Sequence, residues 1–322
     1  MSFEEHAVEF AGLPVVDVTV DYQQVIEMPS VADPGAVAWR IRVLEALEVS
    51  DHPEVEFRRL FEHFLDVVDG SRISALVMGD WGDHYSDDSE CHPVPLLHDA
   101  ADRLPNLRAL FVGDIVREES DAAYIRQHDM TTLLDAYPLL EELTTRGGEG
   151  LALPTRTYPN LRKLHMQAGG MPREVVRAVG ASVFPRLTHL DIWLGVDAYG
   201  GDAIVADLAA ILDGTGLPAL RHLGLLNSEI QDEIAEALAG APILGRIEEL
   251  DLSKGTLGDE GAEALLSGQP LTHLRRFTAQ HHFVGEPVRQ RLLAALPGVE
   301  VDMPKGLDRT RWGGGRYVAV AE

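Results

Sequence analysis

The fold is decided by the stretch Ile247-Glu248-Glu249-Leu250-Asp251-Leu252-Ser253, which leads into an amphipathic segment from Gly258 to Leu266. Aliphatic residues recur at its first, fourth and sixth positions, which predicts a short strand, and the segment after it has helical periodicity. The same arrangement begins at Leu220 and at Leu274, each time with a predicted helix after the strand. The sequence therefore predicts an alternation of strands and helices.

Weaker copies of the strand pattern extend this repeat toward the N-terminus. The strand starts are 21 to 34 residues apart, and a period near the high twenties with one helix in each unit is typical of leucine-rich repeats. One unit cannot bury its own leucines, so neighbouring units must stack. The predicted strands begin at Ile73, Leu107, Leu140, Leu161, Leu187, Leu220, Ile247 and Leu274.

The strand, turn and helix entry in Leu250–Ser253 and Leu257–Leu265 resemble the ribonuclease-inhibitor-like class of leucine-rich repeats. The resemblance covers residues 73–303. It implies an α/β solenoid, a horseshoe with parallel strands on the concave face and helices on the convex face, and it implies protein binding without a reaction. Two positions depart from the class, because Asn227 lies one residue before the place of its turn asparagine and Gly255 occupies that place in the next unit.

The two ends of the chain do not repeat. Residues 1–72 are predicted to form an N-terminal cap that continues into the solenoid, because exposed end strands need a cover. Residues 304–322 are predicted to form a C-terminal tail, mobile from Arg311 onward. The motifs Gly12-Leu13-Pro14, Val37-Ala38-Trp39-Arg40 and Trp193-Leu194-Gly195 are similar to those of a group of bacterial leucine-rich repeat proteins to which no activity is assigned.

The net charge of the chain limits the classes of partner that it is expected to bind. Its 322 residues carry a formal charge of −25, from 52 Asp and Glu against 27 Lys and Arg. Such a surface repels phosphate backbones and anionic lipids, so neither nucleic acid nor a membrane is an expected partner. The N-terminus does not look like a secretory signal and no run reaches membrane-spanning length, so we predict a cytoplasmic protein.

Residues 79–92 form the densest polar segment. Carboxylates, histidines and a cysteine can all bind divalent metals, so the alternative function is a metal-dependent or enzymatic module that uses the acidic loop 80–92. The loop lacks the ligand ladder of a calcium site and the paired histidines of a zinc protease. Cys91 is the single cysteine, which excludes a disulfide and a multi-cysteine zinc site. We therefore predict a solvated loop, with no metal and no cofactor.

The concave face supplies the candidate binding residues. The fifth position of the repeat and the next exposed column hold large rings beside arginine and histidine, and exposed aromatic residues in such company are typical anchors of binding surfaces. Two readings stay open for Phe111 and Trp193: exposed anchors, or rings covered by their own loops. The predicted partner-binding residues are Phe111, Arg146, His165, Asp191 and Trp193, with Trp81 from the acidic loop.

The sequence favours a non-catalytic scaffold that holds a protein partner on the concave face and the loops after the strands. No Gly-x-Ser-x-Gly elbow, P-loop or complete dinucleotide fingerprint occurs in the chain, so no catalytic residue is predicted. Because the surface is acidic, the partner should carry a basic patch, and association should slow as salt rises. A structural subunit that works through its end caps is a third possibility.

Overall fold

A computed structural model describes residues 3–21, 25–44, 53–85, 92–308 and 315–321 of the chain. The chain separates into two compact units, residues 1–154 (unit 1) and residues 155–322 (unit 2). Within each unit, parallel strands alternate with helices. The predicted α/β leucine-rich repeat fold is confirmed.

The sheet of unit 1 has antiparallel strand pairs at its start and is parallel from there on. Its strands are β1 (Glu9–Phe10), β2 (Leu13–Val20), β3 (Ile26–Glu27), β4 (Ala38–Val43), β5 (Ala75–Met78), β6 (Ala109–Val112) and β7 (Glu142–Arg146), and its helices are α1 (Pro53–Val67), α2 (Pro93–Asp99) and α3 (Thr131–Ala136). β1 and β3 pair antiparallel with β2, while β2, β4, β5, β6 and β7 follow one another in parallel. The register places Leu76, Leu110 and Leu143 side by side, and all three are buried.

Helix α1 covers the start of this sheet. Its apolar residues Phe57, Leu60, Phe61 and Phe64 recur at helical spacing and are buried. Trp39 of β4 packs against Phe64 with 5.4 Å between ring centroids. Burying one such side chain stabilises the fold by about 1.5–3 kcal/mol, so this stripe anchors α1 on the strands.

Unit 2 is the regular part of the repeat. Its strands are β8 (Lys163–Gln167), β9 (His189–Gly195), β10 (His222–Ser228), β11 (Glu249–Asp251), β12 (Arg276–Thr278) and β13 (Glu300–Asp302), and its helices are α4 (Arg173–Ala181), α5 (Ala209–Asp213), α6 (Gln231–Ala239), α7 (Asp259–Ser267) and α8 (Glu286–Ala295). All of these strands pair in parallel. Leu164, Leu190, Leu223, Leu250 and Phe277 align in register and are buried, so the leucine pattern forms one continuous core row.

The end of the chain packs on unit 2. Val318 and Val320 are buried, and the backbone N–H of Ala319 donates to Lys254 O at 2.7 Å. The expectation of a mobile tail therefore fails for residues 316–320, because their valines bury apolar surface and their backbone finds partners on the repeats. Residues 311–314 lie outside the described residues.

Candidate functional site

Four ionisable side chains form a hydrogen-bonded row across the strands of unit 2, one on each of β8, β9, β10 and β11. His165 Nδ1 lies 2.9 Å from Asp191 Oδ2, and Asp191 Oδ1 lies 2.7 Å from His222 Nε2. On its other side, His222 Nδ1 lies 2.9 Å from Glu249 Oε2. The four side chains are 17% to 22% exposed. We call these four residues the histidine–carboxylate row.

The repeat places the row on one face of the sheet. Successive side chains of a strand point to opposite faces, so the third and fifth positions of each repeat share the face that the leucines leave free. His165 and Asp191 hold fifth positions and are directly paired in the register, whereas His222 and Glu249 hold third positions and are also directly paired. The link between the two pairs, from Asp191 to His222, is diagonal.

Gly224 makes the diagonal link possible. It lies opposite Asp191 in the register of β9 and β10. A Cβ atom at position 224 would overlap Asp191 Oδ1 and the Leu226 side chain. The missing side chain therefore leaves the space in which the Asp191 carboxylate reaches His222.

The electrostatics of the row favour its charged form. Burial alone would raise the pKa of Asp191, but the hydrogen bonds and charges of His165 and His222 outweigh burial and hold that pKa below its usual range. Burial alone would lower the pKa of His222, but the hydrogen bond to Asp191 and its charge raise it. His189 stacks on His222 with 5.5 Å between ring centroids, and its pKa is lowered by burial and by the charge of His222. The surroundings therefore favour the ionised carboxylate of Asp191 and the protonated imidazole of His222.

Phe111 and Arg146, two of the predicted partner-binding residues, are buried together in unit 1. The Arg146 guanidinium lies between the rings of Phe3 and Phe111, 5.3 Å from each centroid. Burial lowers the pKa of Arg146 to about 10, although nearby carboxylates act in the opposite direction. Of the two readings left open for Phe111, the exposed anchor is wrong: the ring is covered, and part of the cover is Phe10 from the start of the chain rather than the loop of its own repeat.

A buried ion network holds this N-terminal segment in place. Asp114 is fully buried and accepts hydrogen bonds from Arg40 Nη1 at 2.9 Å and from Ala7 N at 3.3 Å. His6 Nδ1 lies 3.1 Å from Asp114 O, and His6 Nε2 lies 3.1 Å from Glu119 Oε1. Burial alone would lower the pKa of His6, but the hydrogen bonds and charges of Asp114 and Glu119 raise it to about 9. The segment is therefore fastened to unit 1 by charge as well as by its aromatic rings.

Trp193 lies in unit 2, two residues after Asp191 on β9, and its ring is only 3% exposed. Lys254 Nζ lies over the ring, 4.9 Å from its centroid. Lys254 also accepts a backbone hydrogen bond from Ala319 of the chain end. Of the two readings left open for Trp193, the exposed anchor is wrong: the ring is covered, and part of the cover is a lysine from a later repeat.

Trp81 is buried in a cluster of histidines in unit 1. Its ring centroid lies 4.9 Å from that of His92 and 6.2 Å from that of His84. His84 Nδ1 lies 3.0 Å from Asp80 Oδ1, and both side chains are buried. Burial and the charge of nearby His128 lower the pKa of His92 to about 3. The expectation of a solvated loop is wrong for these residues, because the aromatic rings pack together.

The remainder of the acidic loop, residues 86–91 with Cys91, lies outside the described residues. Asp80 Oδ1 accepts a hydrogen bond from Gly82 N at 2.8 Å in addition to its contact with His84. Among the residues that the structure describes, no group of three or more histidine, cysteine, aspartate or glutamate side chains is placed to hold a metal ion.

The structure brings together only two of the predicted residues in a partly exposed polar site, namely His165 and Asp191. Their partners His222 and Glu249 are not among the residues that the sequence predicted. Both hold the third position of the repeat, two residues before the fifth position. The third position points to the same face of the sheet, so adding it to the exposed columns would have included both residues.

Comparisons with known proteins support the fold. A protein from Bacteroides fragilis, solved as a structural genomics target, matches with a TM-score of 0.74 and 26% identity, over 82% of this chain and 73% of that chain. An internalin from Listeria monocytogenes matches with a TM-score of 0.38 and 13% identity, over 84% of this chain and 75% of that chain, and this low score adds nothing to the fold assignment. No protein-family model and no curated protein matches the chain. Within the described ranges, no helix is both long and apolar enough to cross a membrane.

Proposed function

We propose that the chain is a non-catalytic scaffold whose histidine–carboxylate row binds a protein partner with a basic patch. The observation that carries this proposal is the continuous hydrogen bonding of His165, Asp191, His222 and Glu249 across four adjacent strands. Side chains that neighbours already hold in place lose little conformational entropy when a partner arrives. The row is thus a preorganised polar surface.

The dimensions of the strand layer suit a macromolecular partner. Six parallel strands from β8 to β13, spaced about 4.8 Å apart, span about 24 Å. A standard protein interface covers about 800 Å² on each partner, so the row and its surroundings match one side of a modest interface. The formal charge of −25 favours a cationic partner. Electrostatic attraction should also speed the association, and added salt should weaken that attraction.

The buried predicted residues take a supporting role in this proposal. Trp193 lies beneath Lys254 on the same strand as Asp191, and it contributes rigidity rather than a contact surface. Phe111, Arg146 and Trp81 hold unit 1 together. A cytoplasmic location and membership of the bacterial group that the short motifs resemble remain predictions.

A peptide selection tests the proposal with a defined probe. A phage-displayed library of random peptides is panned against the full chain, and the enriched peptides are titrated by calorimetry at about 50 and about 300 mM sodium chloride. We expect enrichment of lysine and arginine, weaker binding at high salt, and about tenfold weaker binding to the Asp191→Asn chain, because one charge-assisted contact is worth about 1.5–3 kcal/mol.

The matched control is Glu174→Gln, which removes one charge from the helix layer of the same unit, at a side chain that is 75% exposed. It should bind the selected peptides as the wild type does. Peptides without basic residues, or equal losses in the two variants, would contradict the proposal.

A further inference from the structure

Three residues of unit 2 share a backbone conformation that residues other than glycine rarely adopt. Asn227, Lys254 and His281 have φ angles of 54°, 69° and 55°, and they lie 27 residues apart, at one position of three successive repeats. Within the described part of unit 2, they are the only non-glycine residues with positive φ. Such conformations cost free energy and often mark functional positions.

Asn227 binds the backbone of the chain end. Its Oδ1 accepts a hydrogen bond from Val320 N at 3.0 Å, and its Nδ2 donates to Val320 O at 2.5 Å. One side-chain amide thus satisfies both polar groups of one peptide residue. This contact involves only backbone groups of Val320, so it does not depend on the side chain of that residue.

The other two residues continue the same contact along the chain end. Lys254 O accepts a hydrogen bond from Ala319 N at 2.7 Å, and His281 Nε2 lies 2.8 Å from Tyr317 O. Each of three repeats therefore holds one residue of a segment that crosses them. We call Asn227, Lys254 and His281, with the cavity described next, the peptide groove.

Beside these contacts, Arg316 enters an acidic cavity of about 460 Å³ that residues from the repeats of Asn227 and Lys254 line. Its guanidinium contacts the Asp232 carboxylate, and its Nη1 donates to Thr256 O at 2.8 Å. One arginine faces several carboxylates here, so the cavity has more negative charge than this guanidinium neutralises. The acidic residues that line it are Glu229, Asp232, Glu233, Glu236 and Glu260.

We propose that the peptide groove is a binding site for a peptide of the pattern Arg-x-Val-x-Val, and that residues 316–320 occupy it in cis. Val318 and Val320 are buried, whereas the backbone between them is held by the repeats. The acidic cavity selects the basic residue, and the Asn227 amide binds the backbone of the second valine. A partner segment of the same chemistry competes with the chain end for the groove.

A synthetic peptide tests this proposal on the full chain. The fluorescent peptide of residues 315–321 is titrated into wild-type protein and into a Val320→Asp chain, whose own end is weakened by a charge at a buried position. The cis segment competes at an effective concentration in the millimolar range. We expect at least about tenfold tighter binding to the Val320→Asp chain, because its groove is more often free.

The control is the same peptide with alanine in place of its arginine, which should bind at least about tenfold more weakly, because it loses a charge-assisted contact. Thermal unfolding by circular dichroism checks that the Val320→Asp chain is folded. If it is not, the Arg316→Ala chain replaces it. The proposal is overturned if the folded chain shows no saturable binding, or if both peptides bind equally. Because no residue of the histidine–carboxylate row takes part, this result is independent of the peptide selection above.

Discussion

The strand layers of the two units follow the same repeat and differ in what covers them. In unit 1, Phe111 and Arg146 are sealed by residues 3–10, with the guanidinium held between two rings. In unit 2, His165 and Asp191 each keep about a fifth of their side chains exposed. The position of a residue in the repeat therefore decides which face it joins, but segments outside the repeat decide whether it meets solvent.

The electrostatics of the two units differ in the same sense. Asp114 in unit 1 is fully buried and faces Arg40, His6 and Arg146. Asp191 in unit 2 faces two histidines and remains partly open. A buried charge that loses its counter-charge destabilises the folded state strongly, whereas water can solvate a partly exposed charge. We therefore expect the unit 1 network to matter for stability and the unit 2 row to matter for binding.

The largest expected effect is at Asp114. The Asp114→Asn change removes the buried carboxylate that faces Arg40, His6 and Arg146, so it should lower the free energy of unfolding by about 3–5 kcal/mol. Urea denaturation measures this loss. The control Asp66→Asn, at a side chain that is 71% exposed and paired with Arg103, should cost less than about 1 kcal/mol. Similar losses in the two variants would contradict the distinction between buried and exposed charge.

The same distinction explains how much the sequence could predict. The leucine pattern predicted the columns of the repeat, and it placed His165 and Asp191 at the same position of adjacent repeats, because register follows from the repeat. The burial of Phe111 was not predictable from the repeat, because part of its cover comes from Phe10, about a hundred residues earlier. The burial of Trp193 was not predictable for the same reason, since Lys254, which lies over its ring, is two repeats later in the sequence.

A smaller effect is expected at Gly224, which lies opposite Asp191 of the histidine–carboxylate row in unit 2. The Gly224→Ala change should displace the Asp191 carboxylate, cost about 1–3 kcal/mol through overpacking, and reverse the raised pKa of His222. Urea denaturation and an NMR titration of the imidazole measure the two results. Gly240→Ala is the matched control, because a Cβ there meets nothing within 4 Å and its φ is −114°. A His222 pKa that stays raised in Gly224→Ala would show that the diagonal link does not depend on this glycine.

The smallest effect, at most about 1.4 kcal/mol for each pH unit, is a pH dependence that two histidines give to unit 1. His92 has a pKa of about 3 in the folded chain against 6.5 unfolded, so the unfolded state binds the extra proton between these values and stability falls as pH drops below about 6.5. His6 has a raised pKa of about 9, so its contribution is complete below about 6.5 and is lost as pH rises toward about 9. Together they predict a stability maximum near pH 6.5, with each histidine changing the slope by at most about 1.4 kcal/mol per pH unit.

Two variants separate the acid and alkaline limbs of this curve. His92 Nδ1 accepts a hydrogen bond from Val94 N at the start of α2, and asparagine can make the same cap without titrating. His92→Asn should therefore flatten the acid limb and leave the alkaline limb unchanged, whereas His6→Gln should do the reverse. Urea denaturation at several pH values measures both slopes. If both variants kept the wild-type curve, the pH dependence would have to come from other groups, and the charge that fastens residues 3–10 would not be that of His6.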